Sequence, residues 1–142
     1  MKNGFLQRAF LAILLGTAAP IPAHAETMET SAAQDLGIND PDCQPTGPVT
    51  EPVVLLHGTS ANSAEWNDLI PKLTEQGMCV WAFDYGADDV TLQNMIPSVK
   101  AIADLDDSAA EIADQVDYVR EVTGSDKVNL VGHSQGGMHI KT

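Results

Sequence analysis

Residues 126–137 read DKVNLVGHSQGG, and this stretch decides the fold. Its first half, residues 126–131, is a short β-prone run of the kind that forms a buried strand. A glycine-rich turn follows at once and leads into a new helix start. Gly132 and Gly136 lack Cβ atoms, so such a helix can pack close to the strand while the Ser134 hydroxyl projects into the open. The stretch therefore predicts an exposed serine at the carboxyl end of a strand.

The five residues Gly132-His133-Ser134-Gln135-Gly136 match the Gly-x-Ser-x-Gly pattern of a nucleophile elbow. We predict that Ser134 is the nucleophile. The backbone N–H groups at the start of the following helix suit the negative charge that develops on a carbonyl oxygen under attack, and the N–H of Gln135 is the obvious donor. The alternative is that a pattern of two glycines and a serine arises by chance.

A second motif ends another strand of the buried type. Residues 52–56 form a continuous apolar run, and His57-Gly58-Thr59 follows it. The carboxyl ends of parallel strands share one edge of a sheet, so this loop would lie beside the elbow. We predict that the Thr59 N–H is the second oxyanion donor. Taken alone, the motif is also consistent with an ordinary loop glycine and a histidine that hydrogen-bonds locally.

A helix and a strand are predicted after this loop. Asn62 or Ser63 can cap the helix, Pro71 predicts a kink within it, and Gly77 stops it. An apolar run at residues 78–83 is the next strand. The apolar face of the helix consists of Trp66, Leu69, Ile70 and Leu73.

One more helix precedes the elbow strand. Residues 84–107 carry only weak signals of loop and short helical turns. Ser108 to Glu111 fits a capping box, and the helix that follows ends at Gly124. Strands and helices thus alternate, which predicts an α/β fold with a parallel sheet.

The N-terminal residues 1–25 read as a cleaved secretory signal, with Lys2 and Arg8 before a short apolar run and small residues ahead of a cut after Ala25. The apolar run is far too short for a transmembrane helix. Residues 26–50 show no periodic pattern and are predicted to be a flexible lead-in to a domain at residues 51–142. We therefore expect a secreted, extracellular protein.

Composition excludes other classes of protein and of site. The chain of 142 residues has 20 acidic and 7 basic side chains, a net charge of −13, which argues against nucleic-acid or anionic-membrane binding. Cys43 and Cys79 are its two cysteines, and one disulfide is the simple interpretation for an exported chain, with two free thiols as the alternative. There is no zinc motif and no carboxylate cluster of calcium-ligand spacing, so no metal and no cofactor is predicted.

These motifs resemble the α/β-hydrolase superfamily, and more closely the bacterial secreted lipases grouped as class 2 with their actinobacterial extracellular relatives. The resemblance covers about residues 43–142 and implies the N-terminal portion of an α/β-hydrolase fold, a parallel sheet with flanking helices. The residues that carry it are 52–59, Trp66, Leu69, Pro71, Leu73, Gly77, Cys79, Tyr85, Gly86 and 131–137.

The resemblance implies hydrolysis of carboxylic esters, with acylglycerols or other acyl lipids as substrates. In that family the residues after the His-Gly pair and after the nucleophile supply the oxyanion donors, which are Thr59 and Gln135 here. A single Gly58 before Thr59 looks like the type that accepts longer acyl chains. A Cys43–Cys79 bridge looks like one seen in the actinobacterial relatives.

The catalytic acid and base are missing from the predicted site. In this fold both follow the nucleophile in the chain, and eight residues follow Ser134. Among them His139 lies on the predicted helix, out of easy reach of the Ser134 hydroxyl. His57 and His133 belong to motifs whose backbone acts, and Asp84, Asp104 and Asp106 precede the nucleophile. We therefore expect a chain truncated after the elbow and inactive as written.

Two other functions fit the same sequence. The chain could be a non-catalytic secreted protein that binds lipid or another protein, which the missing base favours. It could also be a short-chain esterase or an acyltransferase, because the elbow does not select the acceptor. The sequence leaves the oligomeric state open.

Overall fold

The computed structural model of the chain describes residues 38–87 and 96–141. The predicted signal and the first part of the predicted lead-in lie outside these residues. The elements in chain order are β1 (Val53–Leu56), a 3₁₀-helix (Ser63–Trp66), α1 (Ile70–Thr74), β2 (Val80–Ala82), α2 (Leu105–Thr123), β3 (Asn129–Gly132) and α3 (Gln135–His139).

The three strands form one parallel sheet with β1 in the centre and the order β2-β1-β3. Val53 lies opposite Val80 on one side and Asn129 on the other, and Leu56 lies opposite Gly132. This arrangement confirms the predicted α/β class with its parallel sheet and flanking helices. It also brings the carboxyl ends of β1 and β3 side by side, so the loops that follow them are neighbours.

The core lies on both faces of β1, because successive side chains of a strand point to opposite faces. All four β1 side chains are at most 4% exposed, as expected for a strand covered on both faces. Burying side chains of this size contributes about 1.5–3 kcal/mol each. The α2 face holds Val54, Leu56, Trp81, Tyr85, Ala101, Ile112 and Val119, and the opposite face holds Val53, Leu55, Trp66, Ile70, Val80 and Ala82.

The predicted kinked helix is two short helices in the structure, so that prediction was wrong in its middle and right at its ends. Asn62 caps the 3₁₀-helix, and its side-chain oxygen accepts a hydrogen bond from Ala64 N–H at 2.9 Å. Pro71 lies in the first turn of α1, where a missing N–H costs no helical hydrogen bond. Gly77 follows α1 with φ of 77°, a conformation that glycine adopts without strain.

Helix α2 begins one turn before the predicted capping box. Asp104 is its N-cap, and its carboxylate accepts hydrogen bonds from the N–H groups of Asp106 at 2.8 Å and Asp107 at 3.5 Å. Ser108 is instead a fully buried residue inside the helix. An Asp cap with two further acids in the first turn satisfies the N-terminal N–H groups and complements the helix dipole. Gly124, with φ of 66°, ends the helix as predicted.

The segment from Ile38 onward is held against β2, whereas the sequence predicted a flexible lead-in. Ile38 forms a parallel bridge with Val80. The Asn39 side chain donates to the Ala82 carbonyl at 3.1 Å and accepts from the Ala82 N–H at 2.9 Å. These partners are 43 residues away, so no local pattern reveals them. The predicted disulfide is confirmed, because Cys43 is bonded to Cys79.

Replacing Cys43 and Cys79 together by serine tests the contribution of the disulfide. The bond closes a loop of 36 residues, for which loop-closure entropy gives about 3–4 kcal/mol of unfolding free energy. We expect a loss of that size in urea unfolding followed by tryptophan fluorescence. Thiol-reduced wild type should unfold like the double variant. Equal midpoints for the variant and the oxidised wild type would contradict the prediction.

Candidate active site

Ser134 lies at the junction of β3 and α3 and has a strained backbone. Its φ is 51° and its ψ is −114°, and it is the N-cap of α3. A positive φ is costly for a residue with a Cβ and occurs where surrounding structure enforces it. Ser134 is exposed. The strand, sharp turn and helix predicted from the sequence are therefore present, with the serine at the apex. The predicted burial of the strand was wrong, because the residues of β3 are exposed or half-buried.

Two glycines make this turn sterically possible. A Cβ on Gly136 would lie within 3.0 Å of the Leu56 carbonyl oxygen, and a Cβ on Gly132 would lie within 3.0 Å of the Gly136 backbone. The start of α3 thus packs directly on the ends of β1 and β3. Any side chain at these positions would push the helix away from the sheet.

The loop after β1 lies against the elbow. A Cβ on Gly58 would be 3.3 Å from Ser134 Cβ and 3.1 Å from His133 Nδ1, so this loop runs beside the serine with little room for a side chain between them. The Thr59 hydroxyl donates a hydrogen bond of 2.7 Å to Gln135 Oε1. The structure therefore brings together Ser134 and the two residues predicted to donate to an oxyanion, which are 76 positions apart in the chain.

His57 is fully buried and supports this loop from below. Its Nε2 accepts a hydrogen bond from Tyr85 N–H at 3.3 Å, so the proton of the neutral ring lies on Nδ1. Nδ1 then donates to the Gly58 carbonyl at 3.0 Å. Both ring nitrogens are engaged, so His57 orients the loop backbone.

Tyr85 packs on His57 and completes the buried support. The two rings stack with centroids 4.4 Å apart, and the Tyr85 hydroxyl donates to the His57 carbonyl at 2.7 Å. Burial raises the pKa of Tyr85 to about 12, with a smaller contribution from the negative charge of Glu65. The phenol thus stays protonated as a hydrogen-bond donor.

Glu65 is a site residue that the sequence reasoning missed. Its Oε2 accepts a hydrogen bond from Gly58 N–H at 2.8 Å, and its Oε1 pairs with His133 Nδ1. The adjacent Trp66 is an apolar anchor of the helix pattern, but nothing in the sequence indicates where the preceding carboxylate points. The structure shows that it reaches both the loop after β1 and the elbow.

A shallow open depression surrounds the serine. Its volume is about 370 Å³. Two exposed apolar side chains, Leu105 at 48% and Met138 at 41% exposure, belong to its wall. The lining residues are Thr59, Leu105, Ser134, Gln135 and Met138. His139 lies on α3, with its ring edge-on to that of Tyr85 at 5.7 Å.

Within residues 38–87 and 96–141 no group of three or more His, Cys, Asp or Glu side chains could hold a metal ion. In the same part of the chain, no helix has both the length and the apolar character needed to cross a membrane.

Residues 51–140 match the alpha/beta hydrolase fold family. The chain belongs to the alpha/beta hydrolase fold family. It is also similar to the abhydrolase domain-containing protein abhd-5.2 of Caenorhabditis elegans, with 31% identity over 99 residues. That similarity covers 68% of this chain and 21% of the relative, so the chain spans about a fifth of the relative's length. The matched residues of this alpha/beta hydrolase include both the loop after β1 and the elbow.

Tyr85 should make the stability of this protein sensitive to high pH. An unfolded tyrosine ionises near pH 10 and the buried Tyr85 near 12, so the stability it contributes is complete below pH 10 and lost as pH rises through 12. We expect the unfolding free energy to fall across this range in urea titrations. Tyr85→Phe should remove the decrease in unfolding free energy that comes from ionisation of Tyr85. It should also lower the unfolding free energy at neutral pH, because the hydrogen bond of the Tyr85 hydroxyl is lost.

Tyr118→Phe is the matched control, because the Tyr118 side chain is 49% exposed. It should keep the wild-type slope of stability against pH. The same slope in wild type and in both variants would contradict the role given to Tyr85.

A pair of glycine substitutions tests the packing of α3 on the sheet. Gly136→Ala places a Cβ against the Leu56 carbonyl and should cost about 2–3 kcal/mol of unfolding free energy. Gly137→Ala meets its nearest atom, the Gly132 carbonyl oxygen, at 3.2 Å and gains helix propensity, so it should cost less than about 1 kcal/mol. Urea unfolding measures both. Equal costs would show that close packing at Gly136 is not the constraint.

Proposed function

We propose that this alpha/beta hydrolase is a serine carboxylic-ester hydrolase of the lipase type, acting through an acyl-enzyme. The observation that carries the proposal is the geometry at Ser134: an exposed serine in a strained backbone conformation, with the loop after β1 packed against it. Strain of this kind is concentrated at functional sites. The family resemblance of the motifs supports the same chemistry.

In the proposed reaction, the Ser134 hydroxyl oxygen attacks the acyl carbon and the carbonyl oxygen becomes negatively charged. The backbone N–H groups of Thr59 and Gln135 donate hydrogen bonds to that oxygen. The tetrahedral intermediate then expels the alcohol and leaves an acyl-serine, which water hydrolyses. The Ser134 proton passes to a general base and from that base to the oxygen of the departing alcohol, and the water that cleaves the acyl-serine loses its proton by the same route back to Ser134. Both ring nitrogens of the buried His57 are engaged, so His57 is not the base in this proposal.

The orientation of the Gly58–Thr59 peptide supports the role of Thr59. The Gly58 carbonyl accepts hydrogen bonds from His57 Nδ1 at 3.0 Å and from Ala61 N–H at 3.2 Å. In a trans peptide the N–H points away from the carbonyl, so the Thr59 N–H is directed to the opposite side. The two hydrogen bonds to the Gly58 carbonyl therefore fix the orientation of the Thr59 N–H without engaging that N–H itself.

The proposed substrate is an acyl lipid such as an acylglycerol. The depression at Ser134 has the apolar side chains of Leu105 and Met138 in its wall. Exposed apolar side chains of this size suit an acyl chain more than a short, soluble acyl group. The single Gly58 before Thr59 resembles the lipase type that accepts longer chains.

The proposed place of action is outside the cell. The Cys43–Cys79 disulfide is compatible with an oxidising compartment. The predicted signal at residues 1–25 supports export, with cleavage after Ala25.

An active-site-directed fluorophosphonate tests the proposal on the protein expressed from its own gene in its own host. We expect a labelled band in the culture medium that is lost in Ser134→Ala. Turnover of p-nitrophenyl palmitate and butyrate should fall by at least about 10³-fold in the same variant, with palmitate preferred in wild type. Ser98→Ala removes an exposed serine hydroxyl and should label like wild type.

Labelling that persists in Ser134→Ala would overturn the assignment of the nucleophile. A wild-type protein that neither labels nor turns over either ester would overturn the hydrolase proposal. Transfer of the acyl group to an added alcohol in place of water would identify an acyltransferase.

A further inference from the structure

We propose that Glu65 is a positioning residue, whose carboxylate holds the loop after β1 and the elbow in a fixed relation. This inference rests on the proposed function, in which Thr59 and Gln135 donate to one oxyanion. The two donors belong to segments far apart in the chain, and their N–H groups must converge within about 0.5 Å of the productive geometry. Something must therefore hold the two segments together.

Glu65 contacts both segments at once. Its Oε2 accepts from Gly58 N–H at 2.8 Å, one residue before Thr59. Its Oε1 pairs with His133 Nδ1, two residues before Gln135. One side chain from a third element thus links the Gly58 backbone to the His133 side chain, and with them the two segments that carry the proposed donors.

The bridge complements two other links between the same segments. His133 N–H donates to the Leu56 carbonyl at 3.1 Å, which extends the pairing of β1 with β3. The hydrogen bond between the side chains of Thr59 and Gln135 is exposed, so water competes for it. The Glu65 side chain is 25% exposed and its hydrogen bond from Gly58 is partly buried, so that bond is better shielded, whereas the His133 side chain is 64% exposed.

The 3₁₀-helix gives Glu65 a rigid base. The neighbouring Trp66 is 9% exposed and packs in the core on one face of the sheet. Ser63 N–H donates to Asp84 Oδ1 at 2.7 Å, and the Asn62 side chain donates to the Ser98 carbonyl at 2.7 Å. These contacts fix the helix at both its apolar and its polar side.

The Gly58 backbone shows how this support reaches the reacting atoms. Its N–H is bound by Glu65, while its carbonyl is bound by His57 and Ala61. With both polar groups of Gly58 held, the Thr59 N–H cannot rotate freely. Glu65 therefore acts through the backbone and not by touching substrate.

Substitution by glutamine separates positioning from charge. A glutamine has the same length, and its amide oxygen can accept from Gly58 N–H while its NH₂ group donates to the imidazole. Alanine removes both links. A positioning role therefore predicts that Glu65→Gln keeps a kcat close to that of wild type. A requirement for negative charge predicts that Glu65→Gln is as slow as Glu65→Ala.

The kinetic test uses the protein expressed from its own gene and p-nitrophenyl ester turnover. We expect Glu65→Ala to lower kcat about 10–100-fold with KM changed less than about twofold, because a small misplacement weakens donors needed in the transition state. Glu65→Gln should stay within about threefold of wild type. Glu75→Ala, an exposed glutamate after α1, is the matched control and should match wild type.

Unchanged kcat in Glu65→Ala would overturn the proposal, as would a glutamine variant as slow as the alanine variant. A rise in KM alone would also overturn it, because it would assign Glu65 to substrate binding.

Amide hydrogen exchange separates this proposal from the hydrolase proposal. We expect the Gly58 amide to exchange more than about tenfold faster in Glu65→Ala and near the wild-type rate in Glu65→Gln. The Val53 amide, which donates to the Cys79 carbonyl at 2.8 Å, should keep its rate in all variants. An absence of ester turnover in wild type would overturn the proposed function. Independently of turnover, an unchanged exchange rate of the Gly58 amide in Glu65→Ala would overturn the positioning role of Glu65.

Discussion

The close contact between the start of α3 and the end of β1 is the constraint on which the site depends. Gly136 lies against the Leu56 carbonyl, and this contact requires the helix to begin directly on the sheet. Ser134 then has to take up a positive φ to make the turn. Leu56 pairs with Gly132 in the adjacent strand, so the same contact brings the loop after β1 beside the serine. Steric fit thus determines where Ser134 lies relative to the loop after β1.

Beneath this contact, buried polar groups hold the loop in one conformation. His57 and Tyr85 exchange hydrogen bonds through side chains and backbone, and their rings stack. Such a network stabilises one arrangement because leaving any buried donor unpaired would raise the free energy of the folded state. Glu65 extends the network to the surface and couples it to His133. The site is therefore supported from the core upward.

The sequence predicted the parts of the fold that local pattern determines. The buried run of β1, the elbow glycines and the helix-ending Gly77 and Gly124 each carry a local physical requirement. The predicted Ser108 cap was wrong because a competing signal, Asp104, lies one turn earlier with two acids behind it. The single kinked helix was wrong because Pro71 suits a helix start as well as it breaks a helix interior.

Long-range polar contacts were beyond prediction for a different reason. Asn39 binds Ala82, and Glu65 binds His133, across separations that no periodicity encodes. When only its neighbours in sequence are considered, Asn39 reads as a loop residue and Glu65 as a solvated surface charge. The predicted roles of Ser134, Thr59 and Gln135 came from motifs, and the structure adds that the three residues are neighbours.

The two hydrogen bonds between the Asn39 side chain and the Ala82 backbone make the two margins of the sheet different. In the described part of the chain, Ile38 and Asn39 lie along the margin of β2 that faces away from β1. The Cys43–Cys79 disulfide links the segment that follows them to the residue before β2. The opposite margin, β3, carries Val131 at 39% exposure. A strand that joins this sheet would therefore add next to β3. Within the described residues, the margin of the sheet that is open to a further strand is thus the strand that leads into the Ser134 turn.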